Sequence, residues 1–456
     1  MGNKKDKPRE LALRTLVSLD KKESYTGNYL EDIFQSNSGF DERDRAFISN
    51  LIQGVVRWKL RLDWIIDQFS KTPVKKIDHA ILNILRLAVY QVLFLDRVPE
   101  SAAVDTAVEQ AKAQKGHQHI VSFVNGVLRN ICRNKNSITF PKKSKAPVKY
   151  ISSYYSFPLW LAGRCHDEFG MDSTEALFAA QNAFPSLNIR ANRLRTDRDK
   201  LIKILADEGI EAVAAEYATE CIILKNFSGR IERLSSFKKG LFQVQDQAAQ
   251  IVSWLLNPQP GESILDVCAG RGGKSTHLQE LMDGKGAVTA LDTDKKRLLS
   301  LKENTERLGI SGIKTVTADA SKPLLPVLNQ VYDRVLIDAP CSGLGTIGRH
   351  PDIKWNRTEP DIKRISRMQR KILENSAAVV KKGGLVLYVV CTYTREENRT
   401  VVDNFLARAK EYSPVNLKDC VPERAINLID NDGFFRSYPH KHNMDGFFVA
   451  LIKREK

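Results

Sequence analysis

Two cysteines sit where a parallel β-sheet would present them to a ligand. Asp338-Ala-Pro-Cys-Ser342 follows the apolar run Arg334–Ile337, and Tyr388-Val-Val-Cys-Thr392 ends another, Leu385–Val390. One buried cysteine is normally inert packing, but two at neighbouring strand ends can meet in one pocket. A reaction that uses two thiols is methylation at carbon 5 of a cytosine. That carbon is too weak a nucleophile alone; a thiolate adding to carbon 6 turns it into an enamine carbon. An acid near ring nitrogen 3 steadies the adduct, and Asp338 is placed for that. A base then removes the carbon-5 proton so that the thiol can leave. The target base must be unstacked to enter such a pocket. The residues alone do not say which thiol attacks.

A glycine-rich loop, Asp266-Val-Cys-Ala-Gly-Arg-Gly-Gly-Lys-Ser275, lies between an apolar strand and a helix. Loops of this kind let a ligand approach the backbone and meet the free N–H groups of the helix. A phosphate-binding Gly-x-x-x-x-Gly-Lys-Ser loop would need glycine at position 268, which is Cys268. A dinucleotide Gly-x-Gly-x-x-Gly loop matches at Gly270 and Gly272 but meets Ser275 at its third position. The remaining reading rests on acids at successive strand ends: Asp266, then Asp292 twenty residues after Gly272, then Asp319. A carboxylate at 292 can accept from ribose hydroxyls, and Asp319 from an adenine amine. S-adenosylmethionine, a ribose-bearing ligand without phosphate, suits that series.

These groups need a scaffold of strands and helices in alternation, and from Gly261 onward the pattern supplies one. Strands are expected at Ser263–Val267, Ala287–Leu291, Ile313–Thr317, Arg334–Ile337 and Leu385–Val390, with two more near Gly433–Tyr438 and Gly446–Ile452. Helical stretches separate them, which implies an α/β, Rossmann-like, doubly wound parallel sheet. Residues 8–133 differ: Leu11, Leu16 and Leu19, then Leu62, Ile65, Ile66 and Phe69, then Ile81, Ile84, Leu85 and Ala88 mark helical faces. Ser101, after Pro99-Glu100, fits a helix start. An all-α domain is expected over 1–133 and a basic linker over 134–149. A small α+β subdomain should fill 150–239, with a strand near Ser186–Asn192, a helix over Asp197–Glu208 and a strand at Cys221–Leu224. The catalytic domain should occupy 240–456.

The 456 residues exceed one hydrophobic core. Net charge is +16 with a pI near 9.4, and residues 1–150 hold 26 basic against 16 acidic residues, so most of the excess lies there. That favours a polyanionic partner. Arg133–Lys149 carries six basic residues and no acid, and reads as a tether that can also touch phosphate. Seven cysteines, an odd number without a Cys-x-x-Cys pair, argue against disulfides or zinc. His440 and His442 lack companions at ligand spacing. No apolar run reaches membrane-spanning length, and no signal-peptide stretch follows the basic start Met1-Gly-Asn-Lys-Lys5. A cytoplasmic monomer without metal is expected. His350 and Trp355 suit either stacking on splayed bases or loop packing.

Residues 240–453 resemble the NSUN/RsmB family of RNA 5-methylcytosine methyltransferases. The likeness is carried by Gly240-Leu-Phe-Gln-Val-Gln-Asp246, Asp266–Lys274, Asp338–Ser342, Arg349-His-Pro-Asp-Ile-Lys-Trp355, Tyr388–Asn398 and Gly446-Phe-Phe-Val-Ala450. The resemblance implies Cys391 as nucleophile and Cys341 as the residue assisting release. It implies cofactor contacts at Cys268, Ala269, Gly270, Arg271, Gly272, Gly273, Lys274, Asp292, Asp319 and Asp338. Asp338 and Lys274 would also face the target base. Residues 8–133 are similar to the NusB RNA-binding fold, and that arrangement marks the RsmB (Sun/Fmu) type, implying S-adenosylmethionine as cofactor and 16S ribosomal RNA as substrate. In 150–235 the likeness is thin, with Arg190 and Asn192 its recognisable remnants. Arg271 stands where the family usually has proline, Val390 where it has threonine and Thr392 where it has serine. Two other functions fit parts of the chain: an RNA-binding antitermination factor with a degenerate pocket, and a nucleotide hydrolase.

Overall fold

The computed structural model of the chain describes residues 6–20, 29–37, 39–114, 117–227 and 229–455; the basic start at Met1–Lys5 lies outside them. Two compact units emerge. One runs to Asn182 and takes in His350–Asn356; the other comprises Ala183–Arg349 and Arg357 to the carboxyl end.

The first unit is helical: α1 (Lys7–Asp20), α2 (Tyr29–Ser36), α3 (Glu42–Phe69), α4 (His79–Phe94), α5 (Glu100–Ala113), α6 (Gln118–Asn134), α7 (Pro147–Tyr155), α8 (Leu159–Phe169) and α9 (Met171–Asn182). Asp41 caps α3 by accepting from Asp44 N–H, and Asp78 caps α4 by accepting from the N–H groups of Ala80 and Ile81. Central helix α4 is buried on every side from Ile81 to Gln91. The one strong charge on it, Arg86, is matched by Asp63 at 2.6 Å and Asp20 at 3.3 Å; an unmatched buried guanidinium would cost several kcal/mol. Ser101 does not cap α5. The helix starts one residue earlier, behind Pro99, whose ring presets the φ of −59° that the entry requires.

The basic stretch after α6 is fastened rather than loose. Trp64 Nε1 donates to the Thr139 carbonyl at 2.9 Å, and Gln68 Oε1 accepts from Thr139 N–H at 3.0 Å. The segment 150–239 is divided between the units: α7–α9 bury Ile151, Leu161 and Phe178 in the first, and strand pairing begins only at Leu187. Within the first unit the Lys354 amine is fully buried, donating to Arg57 O at 2.7 Å, Ser156 O at 2.9 Å and Asn182 Oδ1 at 3.1 Å. Burial, with Arg57 nearby, pushes its pKa well below the usual lysine range. Trp355 packs here too, its Nε1 donating to Val56 O at 2.7 Å.

The second unit begins with β1 (Leu187–Ala191), α10 (Arg198–Asp207), β2 (Ala212–Ala214), β3 (Cys221–Leu224), α11 (Ser235–Lys238) and β4 (Phe242–Val244). The strands form an antiparallel sheet in the order β2-β3-β1-β4, with Leu201 and Leu205 of α10 packed on Ile189, Ile222 and Phe242. The main layer follows: α12 (Gln247–Leu255), β5 (Ser263–Val267), α13 (Gly273–Leu281), β6 (Ala287–Asp292), α14 (Lys295–Leu308), β7 (Ile313–Thr317), α15 (Leu325–Leu328) and β8 (Tyr332–Asp338). After α16 (Ile353–Asn356), which belongs to the first unit, come α17 (Glu359–Ala377), β9 (Val380–Val390), α18 (Arg399–Arg408), β10 (Tyr412–Val415), β11 (Phe435–Arg436), α19 (Pro439–His442) and β12 (Phe448–Arg454).

This sheet has the order β10-β12-β9-β8-β5-β6-β7, with β11 added beside β12. Strands β5 to β9 are parallel, and β12 and β10 close one side antiparallel. The expected strands are present within a few residues. The strand not anticipated, β10, contains Pro414, which an outermost strand tolerates because the missing N–H can lie on its unpaired side, where no ladder bond is lost. Chain order runs outward from β5 to β7, then returns to β8 on the other side. Ligands bind at such a reversal, beyond the carboxyl ends of the strands. Among the described residues no helix is long and apolar enough to cross a membrane.

Candidate active site

A cleft of about 560 Å³ opens at the carboxyl ends of β5 to β9. Of the ten residues implied as cofactor contacts, all but Gly272 line it, and so do Cys341 and Cys391. Gly272 lies behind the loop as the residue preceding α13, at φ +79°, where a Cβ would collide with Leu301. Cys268 also takes a left-handed φ, +63°, a conformation uncommon for a non-glycine residue. The loop is pinned from β6: Ala269 N–H donates to Leu291 O at 3.0 Å, and Gly270 N–H to Asp292 Oδ2 at 2.8 Å. Asp319 lines the cleft from two residues beyond β7, exposed, and accepts from Ser321 Oγ at 2.7 Å.

Asp266 is buried within β5. One carboxylate oxygen accepts from Ser275 Oγ at 2.5 Å and the other has no partner. Burial raises its pKa to about 7, against the pull of Ser275 and Lys274. Four carboxylates therefore face one wall of the cleft, with Lys274, Arg271 and Arg297 as the cations. A triphosphate would be repelled by that set. A cationic ligand with ribose hydroxyls fits it, and the volume lies in the ordinary range for such ligands.

The two thiols meet: Cys341 Sγ and Cys391 Sγ are 3.1 Å apart. Cys341 is pushed well above the ordinary thiol pKa, first by its hydrogen bond with Cys391 and then by burial. Lys274 Nζ donates to Asp338 Oδ2 at 2.6 Å. Burial opposes the Lys274 charge, but the Asp338 carboxylate outweighs it, and the net shift is upward.

What holds the thiols in register was not foreseen. Glu397, fully buried, accepts from Ser342 N–H at 2.7 Å and Gln369 Nε2 at 3.2 Å through one oxygen, and from Thr394 Oγ1 at 2.6 Å through the other. The Ser342 and Thr392 hydroxyls bond each other at 2.9 Å. One carboxylate thus ties the Cys341 loop to the Cys391 loop. Its sequence surroundings, Thr-Arg-Glu-Glu-Asn, read as an exposed turn; the only signal was its place inside the matching segment Tyr388–Asn398. Glu397→Ala should lower both Tm and kcat, since each buried donor left unpaired costs about 1–3 kcal/mol. Glu397→Gln, which keeps an acceptor, should fall between. An unchanged kcat in Glu397→Ala would show that the thiols keep their positions without it.

Gly345 of the same loop is held by the segment just before β12. Gly446 N–H donates to Gly345 O at 2.9 Å, and a Cβ on Gly345 would overlap the Gly446 carbonyl. Arg349 adds ion pairs to Asp246 at 2.7 Å and Asp445 at 2.9 Å. Arg190 and Asn192 prove to be structural. The Arg190 guanidinium pairs with Glu280 at 2.7 Å and donates to Gly273 O at 2.7 Å, and Asn192 Nδ2 donates to Gly240 O and Leu308 O, both at 2.9 Å. Both side chains are fully buried.

Comparison with known proteins adds a second line of observation. Residues 253–453 match the family described as 16S rRNA methyltransferase RsmB/F, residues 6–133 the NusB family, and residues 157–229 the Methyltr_RsmF/B-like, ferredoxin-like domain. The probable ribosomal RNA small subunit methyltransferase B of Bacillus subtilis (strain 168) is 34% identical over 453 residues, covering 99% of this chain and 100% of that protein. The crystal structure of PH0851 superposes with a TM-score of 0.80 at 28% identity, covering 98% of this chain and 99% of that one. The structure of NSun6 from Pyrococcus horikoshii with SFG gives 0.57 at 25% identity, covering 66% and 99%.

Proposed function

The chain belongs to the RsmB/F family of 16S rRNA methyltransferases, and from that premise we propose that it methylates carbon 5 of a cytosine in 16S ribosomal RNA through a transient bond between Cys391 and carbon 6. The observation that carries this reading is the 3.1 Å thiol pair beside a loop suited to a methyl donor. The loop Cys268–Lys274 would cradle S-adenosylmethionine by its backbone, Asp292 would accept from the ribose and Asp319 from the adenine amine. The SFG in the Pyrococcus relative, an S-adenosylmethionine analogue, supports that assignment. When bound, S-adenosylmethionine supplies a sulfonium methyl carbon as electrophile.

The protein's own groups then divide the work. Two thiols this close share one ionisation, because a second negative charge would face the first. Lys274 is kept as an ammonium by Asp338, and Cys341, pushed well above the ordinary thiol range, holds its proton, which leaves Cys391 as the attacking sulfur. The Cys391 lone pair forms the S–C6 bond. The C5=C6 π pair moves into the ring, and nitrogen 3 takes a proton from the Lys274–Asp338 pair. Carbon 5 is now nucleophilic enough to take the methyl group, the S–CH3 bond breaking as the donor's sulfur leaves as the neutral thioether of S-adenosylhomocysteine. With Cys391 bound as a thioether, the charge that kept Cys341 protonated is gone, so Cys341 can ionise. It removes the carbon-5 proton, the C5=C6 bond re-forms, Cys391 leaves as a thiolate, and nitrogen 3 returns its proton to the Lys274–Asp338 pair.

The test is direct. The full chain, given methyl-labelled S-adenosylmethionine and unmodified 16S rRNA, should place label on 5-methylcytidine, identified by mass spectrometry of the nucleoside digest. Label on any other nucleoside, or none, rejects the proposal.

A further inference from the structure

The basic stretch after α6 is placed against aromatic rings. Phe140 stacks on Trp64 at 6.5 Å with planes 16° apart, meets Tyr154 edge-on at 5.1 Å, and Tyr154 stacks on Tyr150 at 5.2 Å. The Arg61 guanidinium lies 5.2 Å from the Phe140 ring centre and 4.5 Å from that of Tyr154, fixing the row from beneath. Trp64 keeps 37% of its surface exposed although its indole N–H is already satisfied by Thr139 O. What it offers outward is a flat π face, not a donor. On the same stretch Lys142, Lys145 and Lys149 are exposed, and among the described residues none of them is in an ion pair. The acids at this stretch, Glu175 and Asp172, are both taken up by Lys143, and Asp63 binds Arg86.

We propose that Trp64, Phe140 and Tyr150, flanked by Lys142, Lys145 and Lys149, form a binding ledge for single-stranded RNA, with bases stacked on the rings and phosphates on the ammonium groups. The occupant follows from the chemistry. Unpaired lysines beside a rigid aromatic row match a strand that alternates anionic phosphates with flat bases, and splayed single strands present those faces where a duplex does not. The inference rests on the proposed RNA substrate, and it assigns the grip on that RNA to a surface other than the methyl-transfer cleft.

The full chain is titrated with a fluorescein-labelled 12-mer of oligouridine, which contains no cytosine, and with a duplex of equal length. Replacing the three lysines by glutamine should flatten the dependence of log Kobs on log salt by about 2, since each single-strand phosphate contact contributes roughly 0.7. Trp64→Leu, which keeps apolar bulk but loses the flat face, should weaken the single strand about tenfold and leave the duplex nearly unaltered. In methyl transfer both variants should raise KM and leave kcat unchanged. Equal loss on duplex and single strand, or unchanged affinity and salt slope, overturns the ledge, as would a fall in kcat alone. A wild-type chain that binds oligouridine without methylating 16S rRNA would instead reject the catalytic proposal and leave the ledge standing.

Discussion

Cys391→Ala should abolish methyl transfer. Without that sulfur no bond forms at carbon 6, and carbon 5 stays an unactivated ring carbon that a positioned methyl donor does not repair. A single-turnover assay with methyl-labelled S-adenosylmethionine should show the rate falling by at least about 10³-fold, equivalent to roughly 4 kcal/mol of lost transition-state stabilisation. Affinity for RNA should change little, because the thiol is a small part of the surface the substrate meets. If the variant keeps activity within tenfold of the parent, Cys391 is not the nucleophile. The division of labour in which Cys341 keeps its proton and Cys391 attacks would then be wrong.

Cys341→Ala should behave in the opposite way: it should react and then fail to let go. The addition at carbon 6 needs only Cys391, so the adduct forms. Removal of the carbon-5 proton needs the second sulfur, 3.1 Å from the first, and with alanine there the thioether persists. After incubation with 16S rRNA and S-adenosylmethionine, most of the variant should migrate as a slower band on a denaturing gel, sensitive to ribonuclease. The double variant lacking both thiols should give no such band. Turnover without accumulation in Cys341→Ala would remove Cys341 from the release step and point to another base in the cleft.

Much of the catalytic layer was readable from residue order, because parallel strands buried on both faces print their apolar runs directly; Ser263–Val267 and Ile313–Thr317 appear in the structure at the expected bounds. The strand-end acids and both thiols could be read for the same reason: position at the end of a strand fixes position at the cleft. What could not be read depends on contacts distant in the chain. Lys354 looks like any surface lysine until three acceptors from elsewhere in its unit enclose it. Glu397 looks solvated until the Cys341 loop folds over it. Arg190 was legible only as a remnant of the family likeness, and its partner is Glu280, ninety residues away. Helices α8 and α9 fall with the strands that follow them in the matched domain at 157–229 yet pack in the first compact unit, because nothing local tells a helix which core will take its apolar face.

The path of the chain through His350–Asn356 has a consequence for modularity. These seven residues are encoded within the catalytic half yet complete the helical one. A fragment ending at Asn182 would lack its own plug: the Arg57 and Ser156 carbonyls and the Asn182 amide oxygen would each lose the ammonium that satisfies them. The helical half is therefore not a cassette that recombination can exchange at a single junction. Any ancestor that acquired it by fusion had to invest part of the methyltransferase's own sequence in closing it.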